Sequence, residues 1–197
     1  MKIITCEQGS PEWYACKVGI PSASNFDKLI TTKGEVSKQR TKYLYQLAGE
    51  TITGVSEETY QNGAMQRGTI LEAEAREFYQ LITGEEVLQV GFCLAEGFGA
   101  SPDALVGEKG VLEIKCPIMS THIGYLLDNV LPTEYIQQVQ GELLATGRDW
   151  VDFLSYYPGI KPLIIRVNRD EKFLKALRVE LEVFVMELKD LVKKIGG

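Results

Sequence analysis

Histidine is almost missing from this 197-residue chain, with His122 the single copy. The four cysteines, Cys6, Cys16, Cys93 and Cys116, stand 10, 77 and 23 residues apart, and none forms a CxxC pair. A zinc site of the usual local type needs paired ligands at short spacing, so that class is excluded. The thiols read as reduced, small hydrophobes, and a thiol nucleophile paired with His122 has no motif behind it. No apolar run approaches a membrane span, and the N-terminus lacks the apolar stretch of a signal peptide. The expectation is a soluble, cytoplasmic chain with no membrane partner. Repeats, linkers and low-complexity tracts are also missing, and the length suits one domain over 1–197 with its own core. Basic charge is short too: 21 Lys and Arg against 27 Asp and Glu give a formal net charge of −6. That balance argues against non-specific coating of nucleic acid, but not against a partner held in one local basic or metal-loaded groove.

The elements that are present alternate in kind. A short strand (3–6) leads to Ser10-Pro11-Glu12, an N-cap with proline at the first helical position. That helix ends at Gly19, and a second runs from Ser22 or Ser24 to Thr31. After the polar, basic loop 31–40 a helix extends to about Thr53, and another covers 64–82 until Gly84 stops it. Residues 86–95, 98–106 and 111–116 read as three strands. A helix follows over 132–146, then strands at 150–157 and 162–167. The last helix runs from Asn168 to Ile195, with Asn168 and Glu171 spaced as a capping box. Helices around a block of strands place the chain in the α/β (mixed α+β) class, a central mixed sheet flanked by helices.

One strand carries charge where burial is expected. In SPDALVGEKGVLEIKCP (101–117), alternation puts Leu112, Ile114 and Cys116 on one face and Val111, Glu113 and Lys115 on the other, with Pro117 ending the ladder. Two charges on a half-buried face cost desolvation unless compensated. A cross-strand ion pair with Asp103 is one compensation. The other is a divalent cation shared by Asp103 and Glu113, with Lys115 at the reacting phosphate or water, which is metal-assisted phosphodiester hydrolysis. The turn decides between faces. Pairing 106 with 111 would turn Asp103 away, whereas pairing 107 with 111 sets it opposite Lys115 and beside Glu113, as a three-residue loop with a bulge would allow.

Pro102-Asp103, nine residues, then Glu113-Ile114-Lys115 resembles the PD-(D/E)XK nuclease signature. More of the chain is similar to one branch, the phage lambda exonuclease-like (alkaline exonuclease) family: EQGSPEWYACKVGIPSAS (7–24), AMQRGTILEAEAREFY (64–79), EIKCP, YIQQVQ (135–140) and RDEKFLKAL (169–177), in that family's order. The resemblance implies a PD-(D/E)XK core and a Mg²⁺-dependent 5′→3′ exonuclease on double-stranded DNA ends. Such an enzyme leaves 3′ single strands for recombination and works as a homotrimeric ring beside a single-strand annealing protein. It further implies Asp103, Glu113 and the Ile114 carbonyl as metal ligands for two ions per site, with Mn²⁺ as a substitute. Lys115 would position or activate water, Glu72 would support the metal, and Gln138 would orient a site group. Taken without the family, Glu72 is half of an i, i+4 pair with Arg76.

The same resemblance implies a 5′-phosphate pocket from Lys17, Ser24 and Ser101. Lys17 stands where the family uses arginine and lacks its bidentate fork. Thr121 replaces an expected basic residue, which leaves His122 or Arg67 to take that part. Lys33, Lys38, Arg40 and Lys42 are candidates for the ring's lumen or rim. The alternatives are a PD-(D/E)XK endonuclease and a non-catalytic DNA-binding module. The iron–sulfur version needs cysteines beyond Cys116, and there are none.

Overall fold

A computed structural model of the chain describes residues 1–57 and 63–196, with the side chains of 63–69 outside the description. Ser10 accepts a hydrogen bond from Trp13 N, and Pro11 needs no donor, so helix α1 (Pro11–Lys17) starts there. It is preceded by strand β1 (Lys2–Ile4) and followed by a 3-10 turn at Ala23–Lys28, α2 (Arg40–Thr53) and α3 (Gly63–Thr83). The expected α-helix at 22–31 is thus only a tight turn, closed by Asn25 N–H on Ser22 O and Leu29 N–H on Phe26 O.

Two of the expected long strands are each divided between two sheets. Residues 86–95 become β2 (Val87–Leu88) and β3 (Phe92–Leu94), and residues 98–106 become β4 (Gly99–Ala100) and β5 (Ala104–Val106). The chain crosses over where Gly91 N–H bonds Ile4 O, and again at Pro102, which has no amide to continue a ladder. The first sheet has the order β1-β3-β4. The second adds β6 (Gly110–Lys115), β7 (Trp150–Ser155) and β8 (Leu163–Asn168) in the order β2-β5-β6-β7-β8. Within it β6 and β7 are parallel and the other pairs antiparallel, so the sheet is mixed.

The crossover from β6 to β7 contains α4 (Met119–Asp128) and α5 (Ile136–Thr146), the latter starting after a 3-10 turn at Thr133–Tyr135. Sequence reading missed α4 because its apolar residues Met119, Ile123 and Leu127 face solvent and only His122 is buried, the reverse of an ordinary amphipathic helix. The last helix, α6 (Glu171–Ile195), is capped by Asp170 rather than Asn168. Gln140 holds that corner: its amide donates to Asn168 O and its oxygen accepts from Asp170 N, which keeps Asn168 extended in β8.

Both faces of the five-stranded sheet are covered. On one, Ala75 and Tyr79 of α3 pack on Ala104, Val106, Leu112, Ile114 and Leu154. On the other, Val139 and Leu143 of α5 pack on Leu105, Val111, Val151 and Phe153. Beyond α5, a third cluster joins Phe26 and Leu29 to α2 and to the α6 stripe Leu174, Leu177, Leu181, Phe184 and Leu188. No described helix is long and apolar enough to cross a membrane.

The close approach of α5 to the 3-10 turn is made at Gly141, where a Cβ would come 2.4 Å from Phe26 Cδ2. Gly141→Ala should therefore overpack this seam and cost about 1–3 kcal/mol. At roughly 2–4 °C per kcal/mol for a domain of this size, calorimetry should record a Tm lowered by several degrees. An unchanged Tm would mean that Phe26 turns aside freely.

Candidate metal and phosphate site

The turn between β5 and β6 sets the site. Val106 faces Gly110, Leu105 faces Val111 and Ala104 faces Leu112, neither of the two registers considered from sequence. Continued by one step, this register puts Asp103 across from Glu113, on the face that also holds Lys115. Gly107 opens the three-residue loop at φ +48°, a left-handed conformation that glycine adopts without strain. Arg148 Nη1 donates to Val106 O, Gly107 O and Gly110 O, at 3.1, 2.8 and 2.7 Å, and fixes the turn from outside. At the other end of the pair, Asp103 Oδ2 accepts the Ile114 amide at 2.5 Å.

Around this strand pair the charged groups interlock. Lys115 Nζ lies 2.7 Å from Glu113 Oε1 and 3.3 Å from Gln138 Oε1, and 5.0 Å from the Tyr135 ring centre. Gln138 Nε2 donates to Glu113 Oε1 at 2.5 Å and to Glu142 Oε1 at 3.1 Å. Burial opposes the Lys115 ammonium, but Glu113 and Asp103 outweigh it and hold its pKa above the ordinary range. Burial pushes the Asp103 carboxyl well above the usual carboxylate range, and Glu113 and Glu72 push it further. Glu72 is also raised, by burial and by Glu113, although Arg76 works against the shift. The Glu72–Arg76 pair expected from the i, i+4 spacing does form, with Arg76 itself buried.

Does this donor set fit a hard cation? Glu113 Oε2 is buried with no hydrogen-bond partner, and Asp103 brings a second carboxylate beside it. Among the described residues no three acidic, histidine or cysteine side chains form a closed cage. An ion here would take two carboxylates and complete its shell with a backbone carbonyl, water and substrate phosphate, which is the Mg²⁺ habit. The residues fit.

The N-terminal segment brings the phosphate candidates toward this end of the sheet. Gln8 Nε2 donates to Val90 O and Pro102 O, both at 2.9 Å, and so ties that segment to the residue before Asp103. Trp13 Nε1 donates to Ser101 Oγ at 2.9 Å and Gly91 O at 3.0 Å. One helical turn on, Lys17 Nζ sits 3.6 Å from the centre of the Trp13 ring. Trp13 therefore joins Lys17 to Ser101. Ser24 Oγ lies 3.3 Å from Ser22 Oγ, and the bridge between Ser22 and Gly99 sets Ser24 and Ser101 each two residues past the bridged pair.

Two sequence candidates do not join. His122 is fully buried, its Nδ1 2.7 Å from Ser155 Oγ and its Nε2 3.0 Å from Lys161 O. Both ring nitrogens are taken inside the protein, so the expectation that His122 meets a phosphate is corrected. Arg40 is paired with Glu180 and Glu187 and lies against Phe184, which removes it from the open basic rim. The side chain of Arg67 lies outside the described residues. Sequence reading also missed contributors. Trp13 and Gln8 were visible inside the quoted N-terminal motif, whereas Glu142 gave no signal beyond lying four residues after Gln138.

Crowded carboxylates destabilise the protein that holds no cation. Asp103 has a raised folded pKa, so its penalty is absent at acid pH, where it is protonated folded or unfolded. The penalty grows as pH rises from about 4, the unperturbed value. Asp103→Asn should raise the Tm of chelator-treated protein at pH 7 by about 2–4 °C, the shift that ~1 kcal/mol makes in such a domain, and by less at pH 4. A lower Tm at both pH values would assign Asp103 a net stabilising ion pair instead.

Residues 12–149 match the YqaJ-like viral recombinase domain family. The whole chain is similar to the crystal structure of an alkaline exonuclease (LHK-Exo) from Laribacter hongkongensis, at 36% identity over 94% of this chain and 96% of that one, with TM-score 0.85. Its complex with dAMP gives the same values. A phage related exonuclease from Haemophilus somnus 129PT shares the fold at 14% identity, 90% and 96% coverage and TM-score 0.70. No curated protein sequence matches. The central mixed sheet flanked by helices is thus the PD-(D/E)XK-like architecture of the alkaline exonuclease. With more than half of its length on the family model and more than a third of its residues identical to the Laribacter enzyme, the chain belongs to the YqaJ-like viral recombinase domain family.

Proposed function

We propose that residues 1–197 act as one nuclease domain, a Mg²⁺-dependent 5′→3′ exonuclease that digests double-stranded DNA from its ends and leaves 3′ single strands for phage-type recombination. The observation that carries this reading is the convergence of Asp103, Glu113, Lys115 and Gln138 on one sheet face, with a buried Glu113 oxygen left without a partner. Similarity to the alkaline exonuclease supports it. Asp103, Glu113 and the Ile114 carbonyl would hold two Mg²⁺ ions, with Mn²⁺ as a substitute. Bound there, such ions lower the pKa of their water toward neutrality and stabilise the leaving oxygen.

The remaining work falls to the chain's own residues. With no cation bound, Glu113 and Asp103 outweigh burial and hold the Lys115 ammonium above its ordinary pKa. From that position Lys115 would position or activate the attacking water beside the phosphate. Gln138 holds Lys115 and Glu113 at their spacing, and Glu72 adds negative charge from α3. Lys17, Ser24 and Ser101 would receive the terminal 5′ phosphate, with Trp13 as the platform between Lys17 and Ser101. In this reading three copies form a ring around the duplex in the cytoplasm, Lys33, Lys38 and Lys42 facing it, and a single-strand annealing protein takes the product.

Linear duplex should be digested with Mg²⁺ and spared with chelator, and covalently closed circles should survive. Asp103→Ala and Glu113→Ala should abolish cleavage but retain DNA binding. Lys115→Ala should lose about 10²–10³ in rate, the usual effect of removing one donor where charge develops. Cut circles would favour the endonuclease, and full activity in Asp103→Ala would refute the metal site.

A 5′-phosphorylated duplex should be degraded faster than a 5′-hydroxyl one, since the phosphate brings nearly two charges and three strong acceptors to an ammonium and two hydroxyls. Lys17→Ala should shrink that ratio while sparing the slower reaction on hydroxyl ends. Equal rates on both ends with wild-type protein would remove the pocket.

A further inference from the structure

Glu142 stands apart from the residues the family resemblance brings in. It lies on α5, one turn after Gln138, and is only 1% exposed. A carboxylate that deep costs several kcal/mol of desolvation unless partners replace the water. Yet among the described residues no lysine or arginine forms an ion pair with Glu142. Its Oε1 accepts from Gln138 Nε2 at 3.1 Å, and its Oε2 has no hydrogen-bond partner among the described residues. Burial, and then the neighbouring Glu113 carboxylate, push the Glu142 carboxyl well above the usual carboxylate range. Alanine or leucine at the same helical position would avoid that desolvation, so burial alone does not call for a carboxyl here.

The amide it meets has two chemically different ends, and the site needs them in one order. Gln138 Nε2 faces Glu113 and Glu142, and Gln138 Oε1 faces Lys115 Nζ. Turned over, the amide would aim its oxygen at two acceptors and its NH₂ at an ammonium. We propose that Glu142 is a positioning residue for the nuclease reaction, a buried acceptor that anchors Gln138 so that its oxygen holds the Lys115 ammonium and its nitrogen holds Glu113. Glu113 alone also takes the amide nitrogen, but a metal ion competes for the Glu113 oxygens. Glu142 keeps the anchor when Glu113 turns to other work. Partners one step behind the reacting groups commonly matter at the level of 10- to 100-fold in activity.

This inference rests on the nuclease reading above, and its test separates the two. Glu142→Gln keeps an oxygen that can accept from Gln138, Glu142→Met removes it in a similar volume, and Glu142→Asp keeps the carboxyl but draws the acceptor back by a methylene. Steady-state digestion of 5′-phosphorylated linear duplex should give roughly 10- to 100-fold lower kcat for the Met and Asp variants. KM for DNA should be unchanged, and Glu142→Gln should retain most of the turnover. In a Gln138→Ala background, Glu142→Asp should add no further loss, because residues acting through one another are not additive. Titration calorimetry of Mn²⁺ into DNA-free protein should give the same affinity for wild type and Glu142→Asp. If Glu142→Met fails to fold, the Asp and Gln pair still decides. Equal loss in the Gln and Asp variants, a loss confined to KM, weakened Mn²⁺ binding, full activity in Glu142→Asp, or an added loss in the Gln138→Ala background would each overturn the proposal. Wild-type protein inert toward linear duplex would overturn the nuclease reading as well.

Discussion

Negative charge gathered around one lysine is the constraint that orders this protein. Asp103, Glu113 and Glu72 repel one another where the sheet end is covered by protein, and Lys115 is the cation that stands among them. Burial makes the repulsion stronger, because the water that would screen it has been replaced by packed side chains. The folded chain keeps this arrangement at a cost in its own stability. A divalent cation held by Asp103 and Glu113 would relieve the cost directly, since it would turn their mutual repulsion into shared attraction.

Much of the surrounding fold serves to hold those charges in place. Arg148 grips three carbonyls of the β5–β6 turn and so prevents a slip of register, which would carry Asp103 to the opposite face. The parallel neighbour β7 and helix α5 enclose β6, and α5 brings Gln138 and Glu142 over the charged side chains. Gly141 lets α5 settle on the 3-10 turn of the N-terminal half. Gln8 and Trp13 then stitch the segment bearing Lys17 to Pro102 and Ser101, so the residues that would meet the DNA end are tied to the strand that would cut it.

The face bearing Glu113 and Lys115 was legible because strand alternation is a strict rule, and the motif order marked Asp103 and Gln138. The register was not, because turns of similar composition close loops of different length; here Gly107 and the Arg148 contacts made from outside the turn select three residues. Strand boundaries at 86–106 failed for a related reason, since a run of β-type residues does not say which of two sheets each part will join. Helix α4 was hidden by an apolar stripe that points outward. His122 was misassigned because its chemistry is visible in sequence while its burial between Ser155 and Lys161 is not. Glu142 escaped because a glutamate inside a helix is ordinarily a solvated one.

The central claim is that Asp103 and Glu113 share a divalent ion, and a Mn²⁺-soaked crystal tests it most directly. The account predicts an anomalous-scattering peak bridging the two carboxylates in wild-type protein, with Lys115 beside it and no peak in Asp103→Ala. A map without a peak there, with Glu113 bonded only to Lys115 and Gln138 at saturating Mn²⁺, would contradict it and leave a structural ion pair in its place.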